Sequence, residues 1–160
     1  MKKAIVFSST SGNTQKLAKA IYTTIGEEIY CGEPNESALD ADMIFVGSWT
    51  IGATCTKEIK EFIEKLENKK VFIFMNAGYG STEEFFAPII NSVKALVKPS
   101  NEIIGEFICQ AKVSEAKMDA IKNADSEKFE KMKAELLNSQ SHPDDADISK
   151  LKEMIANLSK

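Results

Sequence analysis

Runs of consecutive apolar residues alternate along this chain with stretches whose apolar residues recur every three or four positions. Four runs are rich in Val, Ile and Phe and contain almost no polar residue, which is typical of strands buried on both faces of a parallel sheet. A fifth segment mixes polar and apolar residues and is predicted to be an edge strand. The four runs are Ala4–Phe7, Met43–Val46, Val71–Met75 and Ile103-Ile104 with Phe107–Cys109, and the edge segment is Glu28–Cys31.

Apolar stripes at helical spacing fill the intervals between these strands. The resulting order of strands and helices predicts an open, doubly wound α/β sandwich. We expect a single domain, residues 1–160, because nothing along the chain marks a second one. The predicted helices contain Leu17–Ile25, Ile59–Leu66, Phe86–Leu96, Val113–Ala124, Ser126–Leu137 and Ile148–Leu158, with a polar linker at Asn138–Asp145 before the last of them.

Lysine supplies every basic residue of this chain, because the 20 basic positions include no arginine. Bidentate guanidinium contacts to a phosphate or a carboxylate are therefore excluded, and an anion site must use backbone amides, hydroxyls or lysines. A net charge of −4 argues against a nucleic-acid surface and gives no general attraction to a membrane. No apolar run approaches the roughly 20 residues of a membrane span, so we expect a cytoplasmic protein.

The turn after the first strand is rich in small polar side chains and leads directly into a helix. Ser8–Thr14 contains five hydroxyls, one amide and one glycine, with no charged residue. Backbone N–H groups at a helix N-terminus attract anions, and hydroxyls can donate to the remaining oxygens of a phosphate. Helix capping also favours Ser, Thr and Asn, but one cap needs only one of these hydroxyls. The turn predicts a phosphate site without a cation, with capping alone as the alternative.

Three familiar phosphate or nucleotide motifs do not match this turn. A dinucleotide-binding turn requires GxGxxG, and only Gly12 is present. A P-loop requires Gly-Lys before its Ser or Thr, whereas Thr14 follows Asn13. A phosphoacceptor receiver domain requires acidic residues at the end of its first strand, where this chain has Ser8 and Ser9.

Two further loops are predicted to meet this turn at the same edge of the sheet. In open α/β sheets, ligands bind at the carboxyl ends of the strands, near the point where the strand order reverses. The loop Gly47–Gly52 carries Trp49 between glycines, and the loop Asn76–Ser81 carries Tyr79 between glycines. A phosphate turn beside two aromatic, glycine-containing loops predicts a pocket for a phosphorylated planar ring.

The turn resembles the phosphate loop of flavodoxins, S/T-x-T-G-x-T, with Ser11 in place of the usual second threonine. The segment Asp40–Ser48 resembles the third strand of that family and the start of its first flavin-side loop. The resemblance implies a flavodoxin-like three-layer sandwich, in which helices cover both faces of a five-stranded parallel sheet of order 2-1-3-4-5. The segment Phe107–Lys112, with His142-Pro143 much later, resembles a flavodoxin-like branch found in anaerobic metabolism.

By this resemblance, three groups of residues bind the cofactor FMN. The turn holds the phosphate, Trp49 lies against one face of the flavin, Thr50–Gly52 run past its N5 edge, and Asn76–Gly80 line its pyrimidine side. Glycine at position 52 would also tolerate a change of peptide orientation beside the ring. The implied FMN-binding residues are Ser9, Thr10, Ser11, Gly12, Asn13, Thr14, Ser48, Trp49, Thr50, Ile51, Gly52, Asn76, Ala77, Gly78, Tyr79 and Gly80.

The chain departs from the flavodoxin pattern in the loop after Asn76 and in the length of its late helices. That loop lacks the acidic residue often present there, and Tyr79 lies earlier than the usual stacking tyrosine. Fewer negative charges near the ring repel a reduced, anionic flavin less, so a very low reduction potential is not expected. The helical residues from Val113 to Leu137 exceed what a short flavodoxin needs.

Residues that often carry chemistry elsewhere are assigned structural roles here. Cys31, Cys55 and Cys109 form no CxxC pair, so a disulfide framework or a metal site is not expected. Cys55 starts a helix, where the pKa of a thiol can fall, but packing is the favoured role for it and for Cys109. His142, the single histidine, lies in the polar linker and is expected to be a turn residue rather than a general base.

The resemblance implies an FMN-binding electron carrier, a monomer that shuttles electrons between redox partner proteins, namely a reductase donor and an acceptor enzyme. One alternative is an NAD(P)H-dependent FMN or quinone reductase on the same fold, which the absence of arginine disfavours. A second is an accessory flavodoxin-like subunit of a reductase such as bilirubin reductase. A third is an interaction module that has lost its flavin.

Overall fold

The computed structural model describes residues 1–158 and contains a parallel β-sheet between two layers of helices. The strands are β1 (Lys3–Phe7), β2 (Tyr30–Gly32), β3 (Met43–Trp49), β4 (Lys70–Ala77) and β5 (Glu102–Gln110). They form one sheet in the order β2-β1-β3-β4-β5, and every neighbouring pair is parallel. The predicted fold and strand order are confirmed, and the order reverses between β1 and β3.

Residues 1–158 contain six α-helices and one short 3-10 helix; the 3-10 helix and the first three α-helices connect the strands, and the last three α-helices follow β5. Each helix predicted from an apolar stripe is present, whereas the 3-10 helix at Glu36–Asp40 has no signal in the hydrophobic pattern. The α-helices are α1 (Asn13–Ile25), α2 (Lys57–Glu64), α3 (Glu83–Lys94), α4 (Glu115–Ala124), α5 (Ser126–Ser139) and α6 (Asp145–Asn157). Within residues 1–158, no helix is long and apolar enough to cross a bilayer.

Two hydrophobic clusters fill the spaces above and below the sheet. α1 and α6 cover one face, and α2 and α3 cover the other. Side chains alternate along each strand, so Phe72 and Phe74 of β4 pack in the cluster under α1 and α6, while Ile73 and Met75 pack in the cluster under α2 and α3. Because both faces of β4 are covered, all of these side chains are buried. Burial on both faces explains the uninterrupted apolar runs in the sequence.

Two central strands extend further toward their carboxyl ends than their apolar runs. β3 includes Gly47, Ser48 and Trp49, which the sequence pattern assigns to a loop, and β4 includes Asn76. Trp49 pairs with Asn76 in the ladder, so both residues are held at fixed positions on the sheet edge. Glycine is required at position 47, because an ideal Cβ there would lie 2.1 Å from Cε2 of Phe74.

The helical pair α4 and α5 covers the carboxyl end of β5 through polar contacts. α4 has no buried residue, and α5 buries only Leu136 and Ser139. The buried side chain of Gln110 joins β5 to α5. Its Nε2 donates to the carbonyl of Glu135 (3.1 Å), and its Oε1 accepts from Nδ2 of Asn138 (2.8 Å). Since α5 continues to Ser139, the polar linker is shorter than predicted.

Candidate functional site

A crevice opens where the carboxyl ends of the central strands meet, next to the reversal of strand order. It lies between the turn after β1, the ends of β3 and β4, and the segment that links β5 to α4. This position agrees with the general rule for ligands of open α/β sheets. The lining residues are Thr10, Ser11, Asn13, Trp49, Thr50, Asn76, Ala77, Gly78, Tyr79, Ala111, Lys112, Val113 and Lys117.

The turn between β1 and α1 is held together by its own side chains. Ser9 Oγ accepts a hydrogen bond from the backbone N–H of Gly12 (3.2 Å). Gly12 precedes α1 with a φ of 92°, a left-handed conformation that favours glycine. Asn13 Nδ2 donates to Oγ of Ser11 (3.1 Å) and to the carbonyl of Lys112 (3.2 Å). Asn13 therefore joins the turn to the segment after β5.

The same turn presents backbone donors that the protein itself does not use. Among residues 1–158, the N–H groups of Thr10, Ser11, Asn13 and Thr14 have no hydrogen-bond acceptor. Those of Asn13 and Thr14 belong to the first turn of α1, where the helix dipole places partial positive charge. The Oγ of Ser9 accepts a hydrogen bond from the backbone N–H of Gln15 in the first turn of α1. It is the one hydroxyl of the turn that does so among residues 1–158, so helix capping explains only part of the hydroxyl-rich turn. The donor set suits an anion without a charged side chain.

Asn76 connects this turn to the end of β3 from a buried position. Its Nδ2 donates to Oγ1 of Thr14 (2.9 Å), and its carbonyl oxygen accepts from Oγ1 of Thr50 (2.8 Å). Asn76 and Thr14 are 2% and 1% exposed. Because water cannot compete for their hydrogen bond, the start of α1 and the end of β4 keep one relative position.

Ser48 acts on the backbone around Trp49 rather than in the crevice. Its side chain is fully buried, and its Oγ donates to the carbonyl of Trp49 (2.7 Å) and accepts from the N–H of Thr56 (3.0 Å). Thr56 Oγ1 in turn lies 2.9 Å from Oγ of Ser8. These hydroxyls hold the end of β1, the end of β3 and the start of α2 together, which fixes the position of Trp49.

The loop after Trp49 contains a tight turn at Gly52-Ala53. Ile51 and Thr54 exchange backbone hydrogen bonds of 2.9 and 3.2 Å, and the two residues between them have φ values of 57° and 62°. Positive φ at both central positions is the signature of a type I′ turn. Ala53 adopts this conformation at a cost of about 1–2 kcal/mol. Ser92 of α3, whose Oγ lies 2.9 Å from Oγ1 of Thr54, anchors the turn.

Aromatic and cationic side chains face each other across the crevice. Trp49 is half-buried at the end of β3, and Tyr79 is 42% exposed. The Nζ of Lys117, on α4, lies 5.2 Å from the centroid of the Trp49 ring and makes a cation–π contact. Lys112 also lines the crevice, and among residues 1–158 the lining contains no carboxylate.

Comparisons with known proteins agree with this geometry. A family model described as a flavodoxin domain matches residues 4–156. The chain belongs to the flavodoxin family. It is similar to the flavodoxin-like domain-containing protein BilS of Clostridioides difficile (strain CD3), with 33% identity over 159 residues that cover 92% of this chain and 90% of that protein.

Solved structures of flavodoxins and flavoproteins resemble this chain in fold. A flavodoxin of Streptococcus pneumoniae TIGR4 has a TM-score of 0.64 at 17% identity, covering 99% of this chain and 98% of that one. A flavoprotein of Lactobacillus acidophilus NCFM, solved in complex with FMN, has a TM-score of 0.51 at 16% identity, covering 78% of this chain and 98% of that one. At such identities the likeness concerns the fold alone.

The crevice brings together residues from all three predicted loops. The predicted residues that line it are Thr10, Ser11, Asn13, Trp49, Thr50, Asn76, Ala77, Gly78 and Tyr79. Those outside the lining are Ser9, Gly12, Thr14, Ser48, Ile51, Gly52 and Gly80. The first four of these support the turn and the end of β3, Ile51 and Gly52 are exposed, and Gly80 is buried. Contact of each predicted residue with a cofactor stays a prediction.

One wall of the flavodoxin crevice was missed by sequence reasoning. It consists of Ala111, Lys112, Val113 and Lys117. Lys112 closely follows β5, so the convergence of strand ends could have found it. Gly78 permits this wall to approach, because an ideal Cβ on that glycine would lie 2.5 Å from Cγ2 of Val113. Lys117 lies on an exposed helix, and no sequence signal distinguishes it from other surface lysines.

The other chemistry-bearing residues have structural surroundings. Cys55 and Cys109 are buried, and burial raises the pKa of both thiols, which agrees with the packing role favoured for each. His142 Nδ1 lies 2.6 Å from Oδ2 of Asp147, and its carbonyl accepts from the N–H of Lys112 (2.8 Å). The backbone of His142 thus holds the segment that carries Lys112, and its role as a turn residue rather than a general base stays a prediction.

The buried contact between Asn76 and Thr14 predicts a measurable coupling. Asn76→Ala should lower the free energy of unfolding by about 1–3 kcal/mol, because Thr14 loses a buried partner. Thr14→Val removes the same bond while keeping the side-chain shape. In urea unfolding, the double variant should be about 1 kcal/mol more stable than the sum of the single effects predicts. Asn138→Ala with Thr14→Val is the matched control and should be additive; additivity in the Asn76 cycle would contradict the coupling.

Proposed function

We propose that this flavodoxin binds FMN in the crevice and carries electrons between redox partner proteins. One observation carries the proposal: the backbone donors of the turn after β1 and the aromatic side chains of Trp49 and Tyr79 meet in a single crevice. FMN has the two matching features, a terminal phosphate and a flat ring. The phosphate contact needs no cation, which matters in a chain without arginine.

The residues present fit FMN group by group. Backbone N–H groups of the turn, including that of Thr14, and the hydroxyls of Thr10 and Ser11 would hold the phosphate, and Trp49 would stack on the ring. The segment from Asn76 to Tyr79 would line the polar side of the ring. Bound FMN would supply one-electron and two-electron transfer, while the protein controls access and the local charge. The hydrogen bonds that fix Trp49 and Asn76 would keep this arrangement rigid.

Electron carriage is favoured over catalysis by the side chains that line the crevice. They include no histidine, cysteine or carboxylate, so few groups are suited to proton transfer to an organic substrate near neutral pH. An NAD(P)H-dependent reductase would also need cations for the phosphates of its nucleotide, and arginine is absent. The exposed Tyr79 leaves one edge of the crevice accessible to a partner protein.

A second candidate is an accessory subunit of a reductase such as bilirubin reductase. The two segments that resemble the anaerobe-type branch, Phe107–Lys112 and His142-Pro143, meet through the hydrogen bond between Lys112 N–H and the His142 carbonyl. They support the crevice wall that includes α4. The helices α4 and α5 make this part of the chain longer than the corresponding part of a short flavodoxin. An accessory subunit should stimulate its own reductase strongly and reduce an unrelated acceptor such as cytochrome c slowly. Equal rates with both acceptors would favour the general carrier.

Trp49 is the single tryptophan of the chain, so its fluorescence reports on the crevice alone. Titration with FMN should quench this fluorescence with a stoichiometry of one, and riboflavin should bind more weakly. Dithionite should reduce the complex, whereas NADH and NADPH should not be turned over by the pure protein. Failure to take up FMN would contradict the proposal, and steady turnover of NADH or NADPH would favour the reductase alternative.

A further inference from the structure

The crevice is positively charged although the chain as a whole is negative. Its lining contains Lys112 and Lys117 and no aspartate or glutamate, whereas the net charge of the chain is −4. Within residues 1–158, neither lysine has a carboxylate within 4.0 Å of its Nζ. Neither charge is therefore neutralised by a direct ion pair among the described residues, although Glu115 lines the neighbouring groove with Lys112.

Lys117 lies beside the aromatic surface on which a ring would stack. It belongs to the first turn of α4, where its backbone N–H donates to Oγ of the N-cap residue Ser114 (3.2 Å). Its ammonium group lies over the Trp49 ring, with the Nζ 5.2 Å from the ring centroid. A planar ring stacked on this face of Trp49 would displace the ammonium group from the face, and the flexible lysine side chain would keep it near the edge of the stacked ring.

We propose that Lys117 determines which redox state of the bound flavin the protein favours. The inference rests on the proposed function, because it presupposes FMN in the crevice. Full reduction by an external reductant such as dithionite adds two electrons and one proton to the flavin ring. Near neutral pH the reduced ring then carries one negative charge that the oxidised ring lacks. Lys117 stabilises this charge, so reduced flavin binds more tightly relative to oxidised flavin and the reduction potential rises.

The expected effect is about tenfold in the ratio of the dissociation constants for oxidised and reduced flavin. Opposite unit charges about 6 Å apart favour association by roughly threefold in a medium like water and by about a hundredfold at a dielectric constant of 20. Lys117 is exposed, which places the effect between these limits. A tenfold change corresponds to about 30 mV for a two-electron couple.

Lys112, on the same wall of the crevice but beside residues of the turn after β1, provides an internal comparison. It lies with Ser11 and Asn13 along a neighbouring groove, and Asn13 donates to its carbonyl. This position is close to the predicted phosphate site. Lys112→Gln should therefore weaken oxidised and reduced FMN alike and change riboflavin little. Lys117→Gln should change the redox preference of FMN and riboflavin to the same extent, because both share the ring.

The test measures dissociation constants of oxidised and dithionite-reduced flavins without oxygen. Lys117→Gln should lower the preference for reduced flavin about tenfold, and Lys117→Arg should retain it. Lys122→Gln is the matched control, because Lys122 lies on the same helix with its Nζ 5.8 Å from the Phe129 ring and outside the crevice lining. An unchanged preference in Lys117→Gln, or an equal change in Lys122→Gln, overturns the proposal.

Failure of this inference differs from failure of the proposed function. If neither FMN nor riboflavin binds, both are overturned. If FMN binds with a redox preference that does not depend on Lys117, the proposed function stands and the inference is wrong. Salt supplies a further readout, because an exposed charge is screened. The difference between the original protein and Lys117→Gln should shrink as ionic strength rises.

Discussion

Ser11→Leu is expected to weaken FMN binding about fifty-fold or more and to change riboflavin binding little. The leucine removes one hydroxyl and covers neighbouring N–H groups of the turn, so the phosphate loses more than one donor. Each hydrogen bond to a charged group contributes about 1.5–3 kcal/mol, which corresponds to roughly 10-fold to 150-fold in affinity. Ser11 is exposed, and its Oγ accepts only from Asn13 among residues 1–158, so the fold should be unaffected.

Calorimetric titration of the Ser11→Leu protein with FMN and with riboflavin measures the effect. Ser11→Ala should give a smaller loss, because it removes the hydroxyl without covering the turn. Ser100→Leu is the matched control, since Ser100 is exposed just before β5, near the amino ends of the strands and away from the crevice at their carboxyl ends. Equal losses of FMN and riboflavin in Ser11→Leu would contradict the assignment of the turn to the phosphate.

Trp49→Ala is expected to weaken FMN and riboflavin to the same extent, by roughly tenfold to a hundredfold. Stacking of a planar heterocycle on an aromatic side chain contributes about 1–3 kcal/mol. Both ligands share the ring, so both lose this contact. Trp49→Phe should retain most of the affinity, because it keeps an aromatic face. Binding is followed by flavin fluorescence, and thermal unfolding verifies that the variant is folded at the assay temperature.

Tyr79→Ala gives the comparison for the Trp49 prediction. Tyr79 lines the same crevice but is 42% exposed, so its contact with a ring is less shielded from water. A smaller loss is therefore expected than for Trp49→Ala. A loss confined to FMN in Trp49→Ala would assign Trp49 to the phosphate side and contradict the stacking role.

The architecture could be predicted from the sequence because both faces of the sheet are covered. Strands such as Val71–Met75 then need apolar residues at consecutive positions, and helices need an apolar stripe, so the two periodicities are easy to separate. The pattern fails where the ladder continues through polar residues. Ser48 and Asn76 lie within strands because their side chains are satisfied by hydrogen bonds at the sheet edge rather than by hydrophobic burial.

The candidate site could be predicted only where consecutive residues form it. The hydroxyl-rich turn and the segments around Trp49 and Tyr79 each have a local signature. Lys112 could be placed only through its position just after β5, and Lys117 has no such signature because its position depends on how α4 folds over β5. The role of the buried Ser48 could not be predicted from local patterns either. It depends on Thr56, eight positions later in the chain, whose backbone N–H donates to Oγ of Ser48. Long-range contacts of this kind produce no periodic pattern in the amino-acid sequence.

The helices α4 and α5 contribute few buried side chains to the fold. α4 buries no side chain, and polar contacts such as that between Gln110 and Asn138 join its partner helix α5 to the sheet. Segments with few buried apolar contacts open at free energies below that of global unfolding. We therefore expect this side to swing away while the sheet, the turn and Trp49 stay folded. Such a hinged side would give a bulky ligand a route in and out of an otherwise rigid cleft.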